Sequence, residues 1–241
     1  MEFAVIGMGR FGSNVVRTLH ELGHTVLATT AALITVGTLL VFLFEYRNPE
    51  TLGRLSGWHR VLAAFFQSVT PRTAGFNTVD MGRLLDPTLM LLIALMFIGA
   101  SPGGTGGGIK TTTFVAPMAV IVAMLRGRPD PELFWRRLPP VVVYKAVTIA
   151  LVAVAFVVTM ATALAFTERV EFIQALFEVT SGFGTVGLST GITPSLSTVG
   201  RIIIMLTVFT GRVGLLTMAF ALTHRQQPAN FRFPEERIMI G

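Results

Sequence analysis

Cysteine is absent from the sequence, so disulfides and thiolate metal sites are not available to it. Charge is scarce: 13 % of the 241 residues are Asp, Glu, Lys or Arg, against 52 % hydrophobic. A water-soluble domain carries about 25 % charge. A chain this apolar, with a mean hydropathy of +0.68, clothes a water-facing surface poorly, and the lipid bilayer is the solvent that suits it. Histidine is sparse as well. His20, His24, His59 and His224 are scattered, and no acid–base pair stands at catalytic spacing, which argues against an enzyme. The formal net charge is +6, yet no basic run is interleaved with aromatics, so nucleic acid is not an expected partner. In so apolar a chain a basic balance reflects cytoplasmic loops. The apolar stretch Phe3 to Ile6 is too short for the core of a signal peptide.

A helix crossing the hydrocarbon core needs about 20 mostly apolar residues. Four elements qualify by length and composition, at about 27–45, 87–126, 140–166 and 198–223. The second is interrupted by a Gly-rich tract, and the fourth carries Arg212 near its middle. Between spans lie two shorter amphipathic stretches, Trp58 to Val69 and Glu171 to Thr180, each followed by a polar tract, TPRTAGFNT at 70–78 and SGFGTVGLST at 181–190. The two halves align without a gap at a constant offset of 112, which pairs Ala63 with Ala175, Phe65 with Phe177, Thr73 with Thr185, Gly75 with Gly187, Phe97 with Phe209 and Gly99 with Gly211. The unit is span, short helix, polar loop, span, and repeated membrane units place their working site at the repeat interface. Each unit enters and returns. The N-terminus, the 126–139 loop and the C-terminus therefore share a side, and the cluster RGRPDPELFWRR on that side marks it as cytoplasmic.

Non-helical main chain at membrane depth is tolerated only where protein buries it or it lines a water-filled cavity. The tracts TAGFN (73–77) and TVGLS (185–189) are such main chain. Glycine lets carbonyls turn toward an axis, and a ring of carbonyls replaces the hydration shell of potassium. Thr185-Val186-Gly187 repeats the first three letters of the TVGYG filter, and Thr73-Ala74-Gly75 is a looser version at the matching position. The short helix ahead of each tract aims its negative C-terminal end at a cation. The second special tract, Gly99 to Lys110, holds six glycines and a proline and breaks any helix running into it. Each flanking segment is too short to cross alone, so the tract reads as a loop inside the membrane that obstructs a pore. It nearly matches a phosphate-binding P-loop, but Ile109 separates Gly108 from Lys110 and no strand precedes it. Arg212 aligns with Ala100, at the start of that loop. A charge at helix centre costs roughly 2.5–3.5 kcal/mol, so it faces a protein interior or cavity, either contacting loop carbonyls as an electrostatic barrier or bracing the broken helix. Glu178 hydrogen-bonds main chain behind its loop, and Lys110 snorkels to the cytoplasmic surface.

These residues resemble the pore subunits of the Trk/Ktr/HKT potassium transporter superfamily, near the bacterial Ktr type. The matching pieces are SVTPRTAGFNTVD (68–80), GASPGGTGGGIKTTTF (99–114), TSGFGTVGLSTGITP (180–194), GRVGLLT (211–217) and FPEERIMIG (233–241). In that family four span–pore-helix–span repeats surround one filter, and this sequence looks like the third and fourth. The resemblance implies an all-α membrane fold and a potassium filter lined by Thr73, Ala74, Gly75, Phe76, Thr185, Val186, Gly187 and Leu188. It also implies an intramembrane gate at Gly103, Gly104, Gly106, Gly107, Gly108 and Lys110, with Arg212 facing it. Potassium is the transported ion. The expected partners are the lipid bilayer, a second copy or the two other repeats, and a cytosolic ring of regulator-of-potassium-conductance (RCK) subunits. Two filter strands do not close a four-sided ring, so a non-conducting fragment is an alternative. Residues 2–28 fit the plan less well. Glu2 to Ile6 reads as a strand, Gly7, Gly9 and Gly12 form G-x-G-x-x-G, and Ser13 to Leu22 reads as a helix ended by Gly23. That opening resembles an RCK domain, whose complete form binds ATP, ADP or NAD. No acidic residue follows between Glu21 and Glu45 to hold a ribose, so nucleotide binding by this chain, the weaker alternative function, is not expected. The expected organisation is therefore 1–28 a truncated nucleotide-binding start, 29–126 a pore repeat, 127–139 a cytoplasmic loop, 140–225 a second repeat and 226–241 a tail, in the plasma membrane with both termini cytoplasmic.

Overall fold

In a computed structural model of the chain, residues 9–99, 106–128, 130–133 and 136–214 are described. Seven α-helices carry the fold: α1 (Gly9–Glu45), α2 (Gly57–Val69), α3 (Asp86–Phe97), α4 (Thr111–Leu125), α5 (Pro140–Glu168), α6 (Phe172–Gly184) and α7 (Thr198–Val213). Two of them contain stretches long and apolar enough to cross a bilayer, Val26–Glu45 and Pro140–Glu168. At 1.5 Å per residue the twelve residues of α3 reach only about 18 Å, so α3 and α4 each go part of the way and the Gly-rich tract joins them. The long outer helices α1 and α5, the short helices α2 and α6 and the inner helices α3 and α7 repeat in the same order, which is the all-α, two-repeat architecture expected.

α6 occupies the centre, packed against α3, α5 and α7, while α1 holds α2 and α3. Phe177 of α6 is fully buried among Leu92, Met96 and Leu188. Phe183 packs with Val157, Ala161 and Val179, and its ring stacks 6.1 Å from that of Phe97. The residues at the helix contacts are small: Ala64, Ala153, Ala161 and Ala175 are all completely buried. Close approach of this kind is how helices associate where the solvent is itself apolar. On α5, Leu151, Val152, Val154 and Val158 stay exposed, an apolar face of the kind a bilayer tolerates.

A carboxylate joins the helices of each repeat at the same level. Glu45, the last residue of α1, is fully buried; its Oε1 accepts from the Leu85 amide (2.9 Å) and the Thr88 hydroxyl (2.6 Å), and its Oε2 from Asn48 Nδ2 (2.6 Å) and the Thr51 hydroxyl. Glu168, the last residue of α5, accepts from the Ser197 amide (2.8 Å) and hydroxyl. Leu85 and Ser197 are equivalent at the 112 offset and each precedes an inner helix, so the two acids cap α3 and α7 in the same way. A carboxylate at a helix N-terminus satisfies free amides and complements the dipole.

Several boundaries differ from the sequence expectation. The N-terminal helix opens at Gly9 rather than Ser13 and continues through Gly23 to Glu45 as one element that crosses the expected boundary at 28. An isolated glycine costs about 1 kcal/mol in a helix, too little to stop one when no proline follows and the apolar run resumes at Val26. The expected strand at 2–6 and Gly7 lie outside the described residues. α6 continues four residues beyond Thr180 to Gly184, with Gly182 facing Thr207 and Val208 of α7. The last described helix, α7, ends at Val213, where Gly214 takes φ 89, and Arg212 stands in its last turn; residues 215–223 of the expected fourth span lie outside the described residues. The loop between α4 and α5 contains two antiparallel two-residue strands, β1 (Glu132–Leu133) and β2 (Arg136–Arg137), pairing Glu132 with Arg137.

The buried carboxylate carries the testable consequence. Glu45→Ala leaves four donors without their acceptor, each worth about 1–3 kcal/mol when buried. Thermal unfolding in detergent is expected to show a much larger loss of stability for Glu45→Ala than for Glu168→Ala.

Candidate functional site

The site is built at the C-terminal ends of α2 and α6. After α2, the main chain turns at Thr70 and adopts φ 68 at Thr73 and φ 73 at Gly75. After α6 it adopts φ 53 at Thr185 and φ 93 at Gly187. Ala74, Phe76, Val186 and Leu188 have ordinary negative φ, so both loops alternate in handedness at equivalent positions. An ordinary extended chain points successive carbonyls to opposite sides; inverting every second residue brings them toward one side. A threonine in the left-handed region is an outlier for a β-branched residue and costs of order 1–3 kcal/mol. Its occurrence at both equivalent positions marks strain held in place by the surroundings.

Hydrogen bonding sorts the polar groups of these loops. The amides of Ala74 and Gly75 donate to the Thr70 carbonyl (3.2 and 3.4 Å), and those of Thr185 and Val186 donate to Gly182 and Ser181 (3.0 and 2.9 Å). The Thr70 hydroxyl donates to the Phe76 carbonyl, which turns that oxygen toward the loop's own stem. The carbonyls of residues 73–75 and 185–188 accept no hydrogen bond among the described residues. Donors are spent on the stems and acceptors are left over. The two loops touch: a Cβ on Gly75 would lie 2.3 Å from the Val186 carbonyl oxygen. Behind the second loop, Glu178 is buried and braces it from the rear, with Oε1 accepting from the Ser189 hydroxyl (2.6 Å) and the Thr190 amide (2.9 Å) and Oε2 from the Thr193 hydroxyl (2.7 Å). A cavity of ≈ 360 Å³ opens beside that loop, lined in part by Glu178, Ser181, Thr185, Val186 and Ser189.

Residues 106–109, in the described end of the Gly-rich tract, lie directly against the start of the second loop. Its two stems are zipped by a parallel bridge, with the Gly99 amide donating to the Ile109 carbonyl (2.9 Å) and the Ile109 amide to Phe97 (3.2 Å). The Gly107 amide donates to Thr185 Oγ1 (2.8 Å) and the Gly108 amide to the Phe183 carbonyl (3.0 Å). Gly211 of α7 abuts the same carbonyl, so closely that a Cβ would fall 2.0 Å from the oxygen, and Arg212 follows it. Lys110 Nζ donates to the Gly106 carbonyl (2.7 Å), closing the tract on itself rather than extending to a surface. Gly106, Gly107, Gly108 and Lys110 are thus brought beneath Thr185; Gly103 and Gly104 lie outside the described residues. Gly9 and Gly12, both within α1, are far along the chain from this assembly, and Gly7 is outside the described residues.

A model of the TrkH cation transport protein family matches residues 17–232. The chain belongs to that family. Among its relatives, Ktr system potassium uptake protein B of Bacillus subtilis is 40 % identical over 220 residues, covering 90 % of this chain and 49 % of its own length. Potassium/sodium uptake protein NtpJ of Enterococcus hirae is 36 % identical over 230 residues, covering 93 % and 50 %. The crystal structure of the potassium transporter TrkH from Vibrio parahaemolyticus superposes with a TM-score of 0.67 at 19 % identity, over 85 % of this chain and 44 % of that one, a likeness of fold. This TrkH-family chain therefore spans about half the length of the curated relatives it matches. The family match begins at residue 17, inside the segment that resembles an RCK opening.

Sequence reasoning missed Glu45 and Glu168 as cap residues. The signal was an acid at the end of each outer span, hidden because the two lie 123 residues apart while their partners are 112 apart. The contact between the loops gives a direct test. Gly75→Ala places a methyl against the Val186 carbonyl and is expected to cost about 2 kcal/mol from overpacking alone. Gly191→Ala has a comparable positive φ but open space around it, and is expected to cost clearly less in the same thermal-unfolding measurement.

Proposed function

We propose that this chain forms half of a potassium-conducting transporter pore in the cell membrane. The observation that carries this reading is the set of seven main-chain carbonyls, at 73–75 and 185–188, left without donors on two equivalent loops. Oxygens of this kind, at the negative ends of α2 and α6, are ligands for a dehydrated cation and repel an anion. The names of the two relatives, which concern potassium and potassium/sodium uptake, agree with the chemistry. In this reading Thr73, Ala74, Gly75, Thr185, Val186, Gly187 and Leu188 line the filter through their carbonyls and Phe76 flanks it.

The tract 103–108 with Lys110 forms the gate beneath the filter, and Arg212, one residue from the contact between Gly211 and Phe183, adds a positive barrier on the same side. Two loops make half of a four-sided ring. The other half comes from a second copy of this chain or from further repeats, and a cytosolic regulatory ring of RCK type binds the face that carries the 126–139 loop and both termini. The activity is transport and not catalysis. Gly7, Gly9 and Gly12 hold no nucleotide in this reading.

Two measurements test it. Rubidium or potassium flux into liposomes carrying the chain is expected to exceed that into protein-free liposomes and to fall at least tenfold in Gly187→Ala, whose φ of 93 suits only glycine. Flux equal to that of protein-free liposomes, with the chain alone and with the complementary repeats co-reconstituted, rejects the pore. Because the chain has no cysteine, a single Cys placed at Arg128 or at Arg54 is a unique label. A membrane-impermeant thiol reagent is expected to reach the first from the cytoplasmic side only and the second from the opposite side only.

A further inference from the structure

We propose that the Thr185 hydroxyl is a shared acceptor, bound either by the gate amide of Gly107 or by a potassium ion at the inner end of the filter, so that ion occupancy and gate closure oppose one another at one oxygen. The inference rests on the pore reading above and deepens it. Its ground is the asymmetry between two equivalent threonines. Both stand at positive φ at the start of their loops. The Thr185 Oγ1 accepts from the Gly107 amide at 2.8 Å, whereas the Thr73 hydroxyl makes no hydrogen bond to a described residue, because the Gly-rich tract follows α3 and packs under the loop of the other repeat.

Gly107 is seated flush. A Cβ there would lie 2.6 Å from the Phe183 carbonyl oxygen and 2.8 Å from Thr185 Cγ2, so no cation fits between the seated tract and this hydroxyl. The amide of Gly107 presents its positive end to the same oxygen that a cation would take, and the neighbouring Thr185 carbonyl accepts no hydrogen bond among the described residues. The hydroxyl keeps a second lone pair, so the competition is one of space and charge: the seated tract and the positive end of the Gly107 N–H crowd the position of a potassium ion shared between the hydroxyl and that carbonyl, and the ion displaces the Gly107 N–H. A coupling of this kind is reciprocal by linkage: what potassium does to the tract, the tract does to potassium. The Gly108 bond to Phe183 is a second clasp that potassium does not contest, and it returns Gly107 to its seat when the ion leaves.

The test is hydrogen–deuterium exchange of the full chain in lipid nanodiscs, read separately at Gly106–Ile109 and at the filter amides 186–188, in potassium chloride and in choline chloride of equal ionic strength. Potassium is expected to speed exchange at Gly107 in the unchanged chain. Thr185→Val, which keeps the shape and removes the acceptor, is expected to speed it about fivefold in choline, the effect of losing one ordinary hydrogen bond, and to abolish the response to potassium. Thr185→Ser restores both, and Thr73→Val leaves exchange at 106–109 as in the unchanged chain. If potassium protects 186–188 but leaves Gly107 unaltered, the coupling is overturned while the pore reading stands. If potassium alters neither region, both fall. A potassium response that survives in Thr185→Val also overturns the proposal.

Discussion

Main chain that leaves its helix within hydrocarbon has no water to satisfy it, so every donor and acceptor must be placed deliberately. The loops after α2 and α6 meet this constraint unevenly. Their amides fold back onto Thr70, Ser181 and Gly182, and their carbonyls are left facing away from the protein's own donors. In the proposed pore, that imbalance sets the sign of what binds. An array of unmatched oxygens at two helix C-termini favours a cation, and in the proposed pore filling it offsets the strain of two threonines at positive φ.

The same constraint governs the Gly-rich tract. Two of its amides, from Gly107 and Gly108, reach acceptors at the end of α6, Thr185 Oγ1 and the Phe183 carbonyl. Glycine is needed at 107 and 211 because two backbones, from the tract and from α7, close on one carbonyl at distances that leave no room for a Cβ. The broken helix therefore does not float beneath the loops; it is clasped to the residue that begins one of them. In the proposed pore, gate and ion site are adjacent because both draw on the same few groups at the end of α6.

Much of this was legible in the sequence. The offset of 112 placed the two short helices, the two loops and the Thr/Gly pairs in register, because the register is fixed by packing of Ala63 and Ala175 and by turns that need Gly75 and Gly187. The break between α3 and α4 was legible because no helix continues through six glycines and a proline. The ends of helices were not. Gly23 did not end α1 and Ser181-Gly182 did not end α6, since a glycine stops a helix only where the tertiary setting asks for a turn. The fourth span looked continuous through Arg212, whereas α7 ends at Val213 with Gly214 at a positive φ, which composition does not reveal. The caps at Glu45 and Glu168 were hidden by unequal connections, 11 residues (Tyr46 to Ser56) between α1 and α2 but only three (Arg169 to Glu171) between α5 and α6. The clasp between Gly107 and Thr185 joins residues 78 apart, beyond the reach of any local pattern.

The central claim is that the spare carbonyls take a dehydrated cation, and an isotope-labelled Gly187 carbonyl, followed by infrared spectroscopy in the membrane-reconstituted protein, addresses it most directly. Exchanging choline for potassium is expected to shift the labelled band, as it must when an ion replaces a void or a water at that oxygen. A band that stays in place across the same exchange would contradict the account.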